Sequence, residues 1–283
     1  MNVWAIESVD GGREPGREWA CRSLHIGQGL PVGEHRRSVS AIDLLDGFYA
    51  AAMGCPAEYL RAGKVVVVQN DLRSVWFAKG CPVGLYALDS GEGTVISARS
   101  ALAQAAREAL AGAMVFADLQ RRAIERSVTP LANVQSWFEG VRLFCEPVSF
   151  SDRTMDGTRE IFPHEDEPTS LLRRRWGGGV FGHVVGDTIV CRVAIKPLSE
   201  VVWDLHVETL PHHRGRGYAA SAVSAASKHV FDRGRLVGWG CDSTNVASLR
   251  VAKAVGFTTY GSDFGCVENV EGSTFGEPRA PQT

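Results

Sequence analysis

The apolar and polar positions of this chain fall into two periods, one near 3.6 residues and one near two. Residues 40–53, SAIDLLDGFYAAAM, place Ile42, Leu45, Phe48, Tyr49 and Ala52 on one side of a helix, and Gly54 follows as a stop. Four short β-rich runs come next: KVVVVQ (64–69), SVWFA (74–78), VGLYAL (83–88) and GTVISA (93–98). Asn, Asp, Gly and Pro separate them, which predicts a small antiparallel sheet. Ser100 is placed to cap a helix through Leu110, with Leu102, Ala105, Ala106 and Ala109 on one face, and 117–124 is helical again. Thr129, Pro130, Asn133 and Gly140 then break the pattern, and a domain boundary is expected near residue 130.

From residue 178 the pattern becomes regular. Strands at 179–185 and 188–195 are joined by Gly186-Asp187, a hairpin-turn signal. A third strand, EVVWDLHVET (200–209), leads into the loop PHHRGRG (211–217). Residues 218–231 then put Ala219, Ala222, Val223, Ala226 and Val230 on one helical face, an inner stripe of unusually small residues. A strand at 235–241, a helix from Asn245 to Val255 stopped by Gly256, and a strand near 257–261 complete the series; 269–283 reads as a loose tail. The expected domains are thus 1–130, a smaller α/β unit, and 131–268.

Length and composition narrow the class. The 283 residues suffice for one large domain or two ordinary ones, and 45% hydrophobic with 22% charged residues excludes a disordered tail or a fibre. Thirty Lys+Arg against 32 Asp+Glu leaves a net charge of −2, so the basic excess of a nucleic-acid-binding protein is missing. The longest apolar runs, such as 65–68, are far short of the ~20 residues of a membrane span. Neither a basic start nor an apolar stretch of signal-peptide length opens the chain. Seven cysteines, with no C-x-x-C pair, read as reduced thiols. These features together predict a cytoplasmic protein without nucleic-acid or membrane partners, monomeric or homodimeric.

Chemistry concentrates at the strand–loop–helix unit around 214-RGRGYA-219. A glycine-bearing turn from strand to helix presents successive backbone N–H groups at the positive end of a helix dipole, and Arg214 and Arg216 add charge beside Gly215 and Gly217. This describes a phosphate cradle, although R-G-R-G alone equally fits a surface turn. The G-x-x-x-x-G-K-[ST] of P-loops and the G-x-G-x-x-G of dinucleotide folds are both missing.

Arg214-Gly215-Arg216-Gly217-Tyr218-Ala219 matches [RQ]-x-x-G-x-[GA], and about 28 residues after Gly217, 245-NVASLRVAKAVGF-257 opens a helix with Asn and closes it with Gly-Phe. In both respects the stretch from about 140 to 268 resembles the GNAT superfamily of acetyl-CoA-dependent N-acetyltransferases. The resemblance implies an α/β (α+β) fold with a mixed sheet splayed between strands 200–209 and 235–241, flanked by helices. Acetyl-CoA would serve as cosubstrate in the gap. The first half would then be a smaller α/β domain; a degenerate GNAT-like copy is one reading of it, although it holds no [RQ]-x-x-G-x-[GA] loop. By the same resemblance, Arg214 to Ala220 (Arg214, Gly215, Arg216, Gly217, Tyr218, Ala219, Ala220) would hold the pyrophosphate. Val207, Glu208 and Thr209 would pair with the pantetheine arm, and Asn245 and Ser248 would approach from the other side unless they only cap their helix.

The implied reaction is attack of a small-molecule primary amine on the thioester. The donor for the developing oxyanion would be a backbone N–H near Val207. The tyrosine that commonly protonates the leaving thiolate corresponds to Ala252, so Ser248 through water, Tyr260 or solvent would take that part. For the base, Glu208 ranks first, then Asp204, then His206. At period two they share one strand face unless a bulge intervenes, while Val201, Trp203, Leu205 and Val207 share the other. A protein or peptide amine, or a CoA-binding module without turnover, remains an alternative.

The segment 156–167 carries five acids against one arginine and reads as a solvated loop or short helix, or else as an acidic lip for a cationic substrate. His212 and His213 lack a third ligand, so no metal is expected. Trp176, Trp203 and Trp239 read as core or pocket wall. Nothing adjacent in sequence activates Cys241.

Overall fold

Ten strands among the described residues pair into one sheet. Its order is β1 (Val65–Gln69), β3 (Thr94–Ala98), β2 (Val83–Asp89), β10 (Thr258–Glu268), β4 (Val134–Cys145), β9 (Leu236–Asp242), β8 (Val202–Thr209), β7 (Thr188–Pro197), β6 (Val180–Val185) and β5 (Thr158–Ile161). The computed structural model describes residues 39–70, 83–110, 113 and 115–269, of which Ser40–Asn269 make one compact unit. The run expected as a strand at 74–78 and the tail after Asn269 lie outside the described residues. No helix among them is long and apolar enough to cross a membrane.

Side chains alternate between the two faces of each strand, so each face collects its own core. On one face, helices α2 (Ser100–Ala109) and α3 (Asp118–Val128) bury Leu102, Ala106, Ile124 and Val128 against Phe264 and Cys266. Alongside them α5 (Tyr218–Phe231) and α6 (Val246–Val255) pack Ala222, Ala226, Val230, Ala252 and Val255 against Val193, Leu205 and Trp239. The opposite face carries α1 (Ala41–Met53), with Leu45, Tyr49 and Met53 on Tyr86, Phe144 and Val202, and α4 (Glu167–Trp176), with Leu172 and Trp176 on Val180 and Ala194.

Most elements follow the sequence pattern, and the departures have physical causes. α1 starts in a capping box: Ser40 Oγ accepts from the Asp43 N–H at 3.1 Å, and the Asp43 carboxylate accepts from the Ser40 N–H at 3.1 Å. At α2 the cap position is Arg99, without a side-chain cap bond, and Ser100 is the first helical residue. The first-half strands are not purely antiparallel. The β2–β3 hairpin returns β3 alongside β1 in the same direction, so β1 and β3 pair in parallel. β10 runs to Glu268, well past residue 261, because β2 and β4 pair with its two edges. Of the breakers near 130, Thr129, Pro130 and Asn133 precede β4, a strand of 12 residues lying in mid-sheet between β10 and β9, and Gly140 lies within it. Its Arg142 is largely covered and donates from Nε to the buried Asp263 Oδ2 at 2.6 Å, with a second, Nη2 contact to the same carboxylate.

Candidate active site

β8 and β9 run parallel but pair only at Val202–Leu236, Trp203–Val237 and Asp204–Gly238, after which they part. β8 stays paired with β7 as far as Thr209–Cys191. The Leu210 N–H bonds to Val190 O at 3.0 Å, so the even-numbered residues of this stretch turn their backbone groups to β7. By alternation, Leu205, Val207 and Thr209 turn theirs toward the gap. The sheet thus opens next to the residues expected to meet a pantetheine arm.

The end of the same strand leads into the cradle. After a 3-10 turn at Pro211–His213, Gly215 and Gly217 adopt φ of +75° and +84°, the left-handed region that side chains resist. Gly217 caps α5 without any side-chain bond, and the first helical bond runs from the Ser221 N–H to Gly217 O at 3.0 Å. The N–H groups of Tyr218, Ala219 and Ala220 therefore have no acceptor within the helix. Arg214 donates from Nε to Thr209 O at 3.2 Å, which holds its guanidinium beside the loop, while Arg216 is exposed. An uncapped helix start next to a bare strand edge fits a ligand with a pyrophosphate at one end and an extended amide arm at the other.

Asp204, His206 and Glu208 lie on the face away from α5 and α6, since β8 carries no register shift; Trp203, Leu205 and Val207 pack toward those helices. Asp204 is buried, and its carboxylate pairs with Lys196 Nζ at 2.9 Å, the residue directly across on β7. His206 Nε2 and Glu208 Oε1 are 2.8 Å apart, the imidazole largely covered and the carboxylate half open to solvent. The bond from His206 draws the Glu208 carboxyl below its ordinary range, and Arg192, directly across on β7, and Arg175 add to the effect. Trp176 of α4 covers His206 at 5.7 Å between ring centroids. Sequence spacing foresaw the shared face. Trp176 and Arg192 carry no such signal, because tertiary packing alone brings them to β8.

On the other side of the gap, Asn245 Oδ1 accepts from the Ser248 N–H at 3.0 Å and so caps α6. Ser248 Oγ accepts from Trp239 Nε1 at 3.0 Å. Tyr260 sits away from both, buried under α1, where its hydroxyl donates to Asp46 Oδ1 at 2.6 Å; burial raises its pKa far above that of a free phenol. Burial likewise raises the Cys241 thiol. The five cysteines among the described residues form no disulfide.

The acidic stretch is mostly engaged. Glu165 pairs with Arg159 at 2.6 Å, and Asp166 caps α4 by accepting from the Thr169 N–H at 2.9 Å while also pairing with Arg192. No group of three potential metal ligands occurs among the described residues.

Residues 148–258 match the family model described as an acetyltransferase (GNAT) domain. The match supports acyl transfer at the level of the family. Similar solved structures include one described as a putative GNAT-family acetyltransferase of Novosphingobium aromaticivorans, at 14% identity and a TM-score of 0.44, covering 50% of this chain and 69% of that one. A GCN5-related N-acetyltransferase of Kribbella flavida has 16% identity and a TM-score of 0.40, covering 50% and 62%. A GNAT-family acetyltransferase of Colwellia psychrerythraea has 11% identity and a TM-score of 0.42, covering 82% and 98%. No curated protein matches the chain.

Proposed function

We propose that this protein transfers an acetyl group from acetyl-CoA to a primary amine of a small molecule by direct attack. The observation that carries this reading is the union of an uncapped α5 start, with Gly215 and Gly217 in the left-handed region, and a β8 edge left bare beyond Asp204. When bound, acetyl-CoA supplies an activated acetyl carbonyl. Gly215 to Ala220 and the two arginines meet the phosphates, and the gap-facing groups of Val207 and the Thr209 N–H bond the arm, the Thr209 carbonyl being held by Arg214. The Val207 N–H donates to the carbonyl oxygen as charge builds there.

His206 is the base in this scheme, and Glu208 positions it. A carboxylate held below its usual range is a poor proton acceptor, and Asp204 is committed to Lys196. The imidazole takes the proton of the acceptor ammonium, and the half-exposed Glu208 stabilises the resulting charge at the solvent edge. With Ala252 in the position of the family's usual tyrosine, the leaving thiolate needs no dedicated acid, since a thiol of pKa ~8.5 departs readily.

Release of free CoA from acetyl-CoA, measured across a panel of small amines and peptides, tests the reading. Turnover with small amines supports it. Turnover with peptides alone would move the acceptor to protein termini or lysines, and tight CoA binding without turnover would make this a binding module, which Ala252 favours. Gly217→Asp, which sets a carboxylate in the cradle and strains the left-handed turn, should abolish CoA binding; unchanged binding would remove the cosubstrate assignment.

A further inference from the structure

Behind the cradle runs a largely buried chain of hydroxyls that ends on an imidazole. Ser221 Oγ, in the first turn of α5, lies 2.6 Å from Thr158 Oγ1 on β5, which lies 2.7 Å from His183 Nδ1 on β6. Ser221 Oγ also accepts from the Met155 N–H at 2.8 Å. Ser221 is fully buried and His183 is 4% exposed. The His183 ring stacks on Tyr218, the first residue of α5, with centroids 4.1 Å apart and planes 15° from parallel. A helix start with no side-chain cap has few local restraints on the direction of its free N–H groups. Here those restraints come from behind, through β5 and β6.

We propose that Ser221, Thr158 and His183 are positioning residues that hold the first turn of α5 in the orientation its N–H groups need to bind the pyrophosphate of CoA. The proposal rests on the acetyl-CoA reading above. Phosphate binding by backbone amides depends on their convergence, so a turn released from this chain keeps its amides but loses their common aim. Only the phosphate end of the ligand should register the loss.

Isothermal titration of the full chain with CoA, inorganic pyrophosphate and pantetheine tests this. Ser221→Ala and Thr158→Val each delete one hydroxyl from the chain, and each is expected to weaken CoA and pyrophosphate about tenfold, the worth of one hydrogen bond. Pantetheine affinity should not move. Thr158→Ser keeps the hydroxyl and should stay within about twofold of wild type. Ser227→Ala, a buried serine of α5 whose hydroxyl has no partner among the described residues, should do the same. If Ser221→Ala fails to fold, the Thr158→Val and Thr158→Ser pair carries the test. Equal CoA affinity in wild type and Thr158→Val overturns the positioning role but leaves the cosubstrate reading intact, and so does an equal loss in Ser227→Ala. A wild-type chain that does not bind CoA overturns both.

Discussion

At the scale of single residues, a period-two pattern on β8 carried much of the site. Asp204, His206 and Glu208 share a face because the strand has no bulge, and that was legible from spacing. Their different surroundings were not, because these come from Lys196, Arg192 and Trp176, which reach β8 from β7 and α4. If His206 is the base, His206→Ala should lower kcat for CoA release about 100-fold or more, the usual worth of a positioned base, with CoA affinity retained. Glu208→Gln should cost less activity and leave a signature in stability. The folded pKa of Glu208 lies below its reference value of 4.5, so its contribution is present above that pH and is lost as pH falls through the depressed value. The melting temperatures of wild type and Glu208→Gln should accordingly differ at pH 7 and converge on acidification below about pH 4.5, which a pH series of thermal melts checks.

Among the elements, α5 shows what a pattern reveals and what it hides. Its stripe of small residues was plain in the sequence, but the reason for its serines was not. Ser221 and Ser224 accept the Met155 and Arg153 N–H groups, the latter at 2.9 Å, so a segment some 66 to 71 positions earlier docks its backbone on the helix. A hydroxyl three residues from another on a helix has no partner that local sequence can name. Ser224→Ala should leave the Arg153 N–H without its acceptor and cost about 1 kcal/mol, read as a lower denaturation midpoint with an unchanged m-value. β4 was hidden for a related reason. Glu139, Gly140 and Arg142 interrupt its apolar run, and the carboxylate that lets Arg142 be largely covered sits 121 residues away on β10. Asp263→Ala would strand that guanidinium in the interior, and a loss of about 3–5 kcal/mol is expected in chemical denaturation.

For the molecule as a whole, the near-neutral charge of −2 says little about the anionic ligand proposed, because in that proposal backbone amides and two local arginines would meet it. The sheet is a better guide. β10 is flanked by β2 and β4, and Tyr260 under α1 is anchored by Asp46, so the recognisable second half is completed by strands and helices from the first. A chain beginning at residue 146 would lack β4 in mid-sheet and the whole cover of α1. It should not give a cooperative thermal transition, whereas the full chain should; a cooperative melt from the shortened chain would show the second half to be self-sufficient.

The place of β4 also bears on how the protein is made. This strand leaves the ribosome long before β9 and β10, the two neighbours that will enclose it, and the contact joining Arg142 to Asp263 closes a loop of 121 residues. Pairing so distant in sequence is slow, because chain entropy is spent before any contact repays it. Until β10 emerges, β2 and β4 each present an unpaired edge, that of β4 rich in aromatic and β-branched residues. A nascent chain stalled or terminated ahead of residue 258 would carry both edges exposed, so premature termination late in the message should produce aggregation rather than a trimmed but functional protein.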